Sequence, residues 1–87
     1  ENKLIFKNGI HIYPNPVADY LNVELNSETA EVILQVSDIS GKTLIKEKCK
    51  GNCIVKTQNL NNGMYLLHLL NASDGKNIEV KKIIIAK

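Results

Sequence analysis

Two cysteines, in "CKGNC" at 49–53, carry the most reactive side chains of this 87-residue chain. A thiol pair at that spacing can close a disulfide, supply half of a zinc site, or stay as two free thiols. Gly51 and Asn52 lie in the loop between them. If the flanking strands pair, the two side chains lie across from one another on one face. A Cys49–Cys53 hairpin disulfide is then the leading expectation in an oxidising compartment, with free thiols next. The ring is short, and closing it adds about 2 kcal/mol, a staple rather than a condition for folding. The zinc reading lacks two ligands.

Nothing else assembles into a reaction centre. His11 and His68 fall in strand-like stretches away from any nucleophile, and no HExxH, GxSxG, Walker or dinucleotide pattern occurs. Both read as structural or surface histidines. Asp19, Asp38 and Asp74 sit in turn contexts, where capping of nearby backbone N–H groups accounts for them, and no DxDxDG loop supports calcium. The chain is therefore expected to be no enzyme, to hold no cofactor or metal and to take no small-molecule substrate. "NAS" at 71–73 matches the N-glycosylation sequon but reads as a polar hairpin loop. All eleven basic residues are lysines and the formal net charge is only +2. Without the guanidinium fork that grips phosphates and base edges, nucleic acid is not an expected partner.

The elements that would position these groups are strands. Apolar residues make up 44% and charged residues 23%, the balance of a folded module, and 87 residues leave room for one domain. The apolar runs "MYLLHLL" and "IIIA" are too short to span a bilayer. The chain begins at Glu1 with no initiator Met and no h-region, and so reads as a piece of something longer. Period-2 alternation recurs: Leu21, Val23 and Leu25 against Asn22 and Glu24, then Val32, Leu34 and Val36 against Ile33, Gln35 and Ser37. "MYLLHLL" is apolar on both faces, so it is either covered on both or presents an apolar outer patch that would be an interaction surface. Turn signals at Asn8-Gly9, "DISGK", Gly51-Asn52, Asn62-Gly63 and Asp74-Gly75 arrive at the short spacing of a sandwich or barrel. Six strands are legible, with a seventh around "GIHIY"; residues 1–9 read as a first strand or a linker tail. Alternating Lys46, Lys48 and Lys50, and Lys81, Lys82 and Lys87 at the end, read as solvated faces or edge-strand protection.

The remaining stretch is "YPNP". Each proline fixes its own φ, supplies no N–H, and pushes Tyr13 or Asn15 before it toward extended geometry. Pro14-Asn15-Pro16 therefore cannot start a helix and reads as a stiff lead into a β domain.

Taken in order, "IYPNP" at 12–16, "LNVEL" at 21–25, "VILQVSDISGKTL" at 32–44, "LNNGMYLLHL" at 60–69 and the terminal "KKIIIAK" resemble one family. It is the type A C-terminal sorting domain of proteins exported by the type IX secretion system of Bacteroidetes. The resemblance covers residues 12–87. It implies a small immunoglobulin-like antiparallel β-sandwich of about seven strands, with residues 1–11 as linker tail or first strand and 12–87 as the sorting domain. It implies a secretion signal for an N-terminal passenger, carried from the periplasm through the translocon to the surface or the medium. A sortase-like cysteine peptidase would then remove the domain, with attachment of some passengers to anionic lipopolysaccharide. An immunoglobulin-like or fibronectin-like binding or spacer module is the rival expectation; the lack of Trp and scarcity of Phe weaken its carbohydrate-binding form. Carried over by resemblance, the sorting motif falls on Tyr13, Pro14, Asn15 and Pro16, on Gly41 and Lys42, on Gly63 and Tyr65, and on Lys82, Ile83, Ile84, Ile85 and Lys87. The prolines, Gly41, Gly63 and Tyr65 would define the fold, while the last strand would be read by strand addition and through its lysines. The cysteine pair departs from the family pattern, which does not depend on cysteines.

Overall fold

The structure, a computed structural model, describes residues 4–5, 10–14, 16–25 and 31–87. In chain order its strands are β1 (Leu4–Ile5), β2 (His11–Tyr13), β3 (Tyr20–Glu24), β4 (Val32–Ser37), β5 (Thr43–Cys49), β6 (Cys53–Lys56), β7 (Gly63–Asn71) and β8 (Asn77–Ile85). They form two sheets, ordered β1-β2-β3-β6 and β5-β4-β7-β8, and every ladder is antiparallel. The protein is thus an all-β sandwich: seven strands of three or more residues plus the two-residue β1, with no helix among the described residues.

Alternation translates directly into layers. Leu21 and Val23 of β3 and Val32, Leu34 and Val36 of β4 are buried, while Asn22, Glu24, Ile33 and Gln35 are only partly covered. Tyr65, Leu67 and Leu69 of β7 and Ile83 and Ile85 of β8 complete the inner face of the second sheet, against Ile12, Leu21, Val23 and Val55 of the first. Each such side chain contributes about 1.5–3 kcal/mol by leaving water. The buried hydroxyls are satisfied: Thr57 Oγ1 donates to Ala18 O at 2.8 Å, and Ser37 Oγ lies 3.0 Å from His68 Nε2. Of the two readings of "MYLLHLL", the outer patch is the one observed. Met64 is 43% exposed, and Leu66 and Leu70 are half-buried on the outer side of the second sheet.

Two hairpins lie within the second sheet. Between β4 and β5, Asp38 O accepts from Gly41 N at 3.0 Å and Asp38 N donates to Lys42 O at 3.0 Å. Gly41 adopts φ +97°, a conformation open to glycine at little cost, with no atom within 4 Å of where a Cβ would stand. Between β7 and β8 the Asp74 carboxylate accepts from Lys76 N at 2.9 Å. The Asn8-Gly9 turn lies outside the described residues.

The premise of a ladder between the strands flanking the cysteines needs correction. β5 pairs with β4, and β6 pairs with β3, so residues 50–52 carry the chain from one sheet to the other. Cys49 occupies an inward position opposite Val32, which turns its sulfur toward the space between the layers. The Cys49–Cys53 disulfide, with Cα atoms 6.0 Å apart, accordingly joins the two sheets and not two rungs of one hairpin. Gly51-Asn52 serves an inter-sheet crossing as readily as a hairpin, because both need a tight turn.

Candidate functional site at the C-terminal strand

β8 is the edge strand of the second sheet, with β7 on one side. Its register sets Ile83 opposite Tyr65 and Ile85 opposite Gly63, both turned inward and buried, while Lys82 opposite Leu66 and Ile84 opposite Met64 face outward. Glu79 and Lys81, opposite Leu69 and Leu67, take inward positions at the edge and pair with one another at 3.3 Å. Charges turned inward on an edge strand discourage a second chain from adding to it indiscriminately.

The C-terminal end of β8 meets the segment that follows the two prolines. Tyr13 ends β2, with its hydroxyl donating to Glu24 Oε2 at 2.6 Å, and the Tyr13–Pro14 peptide bond is cis. After Pro16 the chain leaves the first sheet, and Val17, fully buried, forms a parallel bridge with Ile85. Val17 N donates to Ile84 O at 2.7 Å, and Ala86 N donates to Val17 O at 2.8 Å. The "PNP" and "KKIIIAK" segments, with 64 residues between them in sequence, are thereby brought into contact through Val17.

A third segment completes the arrangement. Thr57 N donates to Asp19 O at 2.9 Å, fixing the start of the 57–62 loop against the same segment. The loop then takes hold of the chain end: Lys87 Nζ donates to Gln58 O at 2.6 Å and Leu60 O at 2.5 Å, and Lys87 N donates to Asn62 Oδ1 at 3.0 Å. Tyr65, buried under the loop, donates its hydroxyl back to Asn61 O at 2.6 Å, the kind of contact known from tyrosine corners in sandwiches.

Of the residues marked in the sequence, Pro16, Gly63, Tyr65, Ile83, Ile85 and Lys87 gather at this end of the molecule. Lys82 and Ile84 lie on the outer face of β8, and Gly41 and Lys42 sit in the β4–β5 turn at the same end of the second sheet, two strands away. Asn15 lies outside the described residues. The two terminal lysines differ: Lys82 is exposed, whereas the Lys87 ammonium is tied to loop carbonyls. Val17, Thr57 and Asn62 were not marked. Val17 is a single apolar residue after a proline, and no local pattern announces its partner.

No reacting group stands out. Among the described residues no three His, Cys, Asp or Glu side chains are placed to share a metal ion, and no helix is long and apolar enough to cross a membrane. A shallow hollow of about 240 Å³ on the first sheet is lined by Tyr13, Asn22, Glu24, Asn52 and Ile54, among others. It falls short of the roughly 300–1,000 Å³ of ordinary small-molecule sites. Asp38 is held below the ordinary carboxylate value, first by the Ser40 hydroxyl and then by the Lys42 N–H. Its role is to close a turn.

A small antiparallel sandwich whose last strand is a clasped edge belongs to the class of small all-β modules. A family model described as "Secretion system C-terminal sorting domain" matches residues 11–86 of the chain, and the chain belongs to that family, the type IX secretion C-terminal sorting domains. The family is a sorting signal and not a catalytic one, and it implies interaction with the secretion machinery and export through the outer membrane to the surface or the medium. A comparison with curated proteins gives no match.

Proposed function

We propose that residues 12–87 form the unit read by the type IX translocon, and that β8 is the element read. The domain carries an N-terminal passenger from the periplasm across the outer membrane. A sortase-like cysteine peptidase then cuts upstream of the sandwich, with surface attachment as one fate of the passenger. Residues 1–11 link passenger to sandwich, with Leu4–Ile5 adding a short edge strand beside β2. The observation that carries this reading is the position of β8: a terminal strand at a sheet edge, with its end fixed by Val17 and the 57–62 loop. An edge strand in a fixed place suits recognition by strand addition, which reads backbone groups and alternate side chains together.

The test fuses residues 1–87 to the C-terminus of a reporter that has its own signal peptide, in a bacterium with a working type IX system. Reporter in the medium or on the surface, absent from a translocon mutant, is expected; removal of "KKIIIAK" is expected to abolish that export. A reporter held in the periplasm of both strains would sink the sorting role and leave a binding or spacer module. Export that survives loss of the last seven residues would remove β8 as the element read.

A further inference from the structure

The outer face of the second sheet has an unusual division of charge. Its outward side chains include Ile33 of β4, Met64, Leu66 and Leu70 of β7, and Val80 and Ile84 of β8. Met64, Val80 and Ile84 are 43%, 40% and 42% exposed. The ionic side chains that face outward from these four strands are all cationic: Lys46 and Lys48 on one edge strand, opposite Gln35 and Ile33, and Lys82 on the other, opposite Leu66. The carboxylates of the same strands, Glu47 opposite Leu34 and Glu79 opposite Leu69, take the inward register. Glu31, Asp38 and Asp74 lie in the connections at the ends of the sheet, and the last two accept backbone N–H groups there. The face is therefore an apolar centre flanked by lysines, without a carboxylate of its own strands.

We infer that this face docks on an apolar protein surface bordered by carboxylates, belonging to the secretion apparatus that receives the domain; the inference rests on the sorting function proposed above. Charge decides among the occupants. A second copy laid face to face would bring Lys46, Lys48 and Lys82 of both chains together with no carboxylate from these strands to meet them, which disfavours self-pairing. A lipid surface calls for side chains that reach into the acyl boundary, especially Trp and Tyr at the interface. Here the apolar side chains are half-covered on the sheet, and none of the outward residues of its four strands is Trp, Tyr or Phe. An apolar centre with a polar rim is the anatomy of a protein–protein contact, and lysines on the rim speed and orient the encounter with an acidic partner. Lys82 and Ile84 belong to both this face and β8, so strand addition and face docking would engage the same partner from two directions.

The experiment uses the reporter fusion of residues 1–87. One variant carries K46E, K48E and K82E; a control carries K50E, K56E and K76E, three exposed lysines elsewhere on the domain. Both should retain the parent's melting temperature within a few degrees. Export of the first is expected to fall at least tenfold while the control stays within twofold of the parent. Equal export by both variants would overturn the inference. If the parent itself is not exported, the sorting role fails and the docking claim with it, an outcome distinct from loss in the triple variant alone. A photo-crosslinking residue at Val80 in exporting cells identifies the occupant. An adduct with a translocon protein is expected; an adduct between two copies of the fusion, or no protein adduct during normal export, would overturn the acidic-partner assignment.

Discussion

Asp38 shows how much one side chain fixes at the residue scale. Its Oδ1 accepts from Ser40 N at 2.9 Å, Ser40 Oγ at 2.6 Å and Lys42 N at 3.0 Å. These donors favour the charged form and lower its pKa from the ordinary value of 3.8. A lowered folded pKa means the carboxylate stabilises the fold fully above the unfolded value and stops doing so as pH falls through the folded one. Asp38→Ala is therefore expected to lower the melting temperature at pH 7, with the difference from the parent shrinking as pH drops below 3.8. Thermal melts of both proteins across that range check the sign; a difference that widens in acid would remove Asp38 from this role. The turn was legible in "DISGK", because an Asp three residues before a Gly is a local signal. Val17 was not, because its partner lies at the far end of the chain.

Among elements, β8 combines two duties that alternate along it. Ile85 is 1% exposed, whereas its neighbour Ile84 is 42% exposed. Ile85→Ala leaves a cavity beside Val17 and Gly63 and is expected to cost about 2–5 kcal/mol in urea unfolding. Ile84→Ala is expected to cost less than Ile85→Ala, about 1 kcal/mol, since its side chain is already partly in water and its removal opens no enclosed cavity. Similar losses at both positions would contradict the register. Such alternation was legible in "LNVEL" and "EVILQV", since period 2 is a property of neighbouring residues, but not in "MYLLHLL" or "IIIA", where both faces are apolar. The sheet to which a strand belongs was not. "CKGNC" read as a hairpin, yet its flanking strands lie in different layers, because turn composition reports a reversal and not which neighbour the chain turns toward.

At the scale of the whole molecule, the disulfide ties the two layers where β5 passes into β6. Its ring is short, so its loss should remove only about 2 kcal/mol from the folded state. Reduction, or the double change Cys49→Ala and Cys53→Ala, is expected to lower the melting temperature by roughly 10 °C while leaving a cooperative transition. A domain that no longer folds at 25 °C would show that the link is essential and not a staple. The class of fold was legible because its core alternates strand by strand, and the family resemblance rested on motifs that are local. Contacts that close the sandwich, Val17 with Ile85 and Lys87 with the 57–62 loop, are long-range and had no sequence signature of their own. That closure also decides how the domain bears load. Val17 and Ile85 run parallel, so opposite pulls on Val17 and on Lys87 shear the two flanking hydrogen bonds, to Ile84 and from Ala86, at once, where an antiparallel hairpin would unzip them singly. Tension that passes beyond β2 is thus borne by the same two bonds that hold the last strand in place.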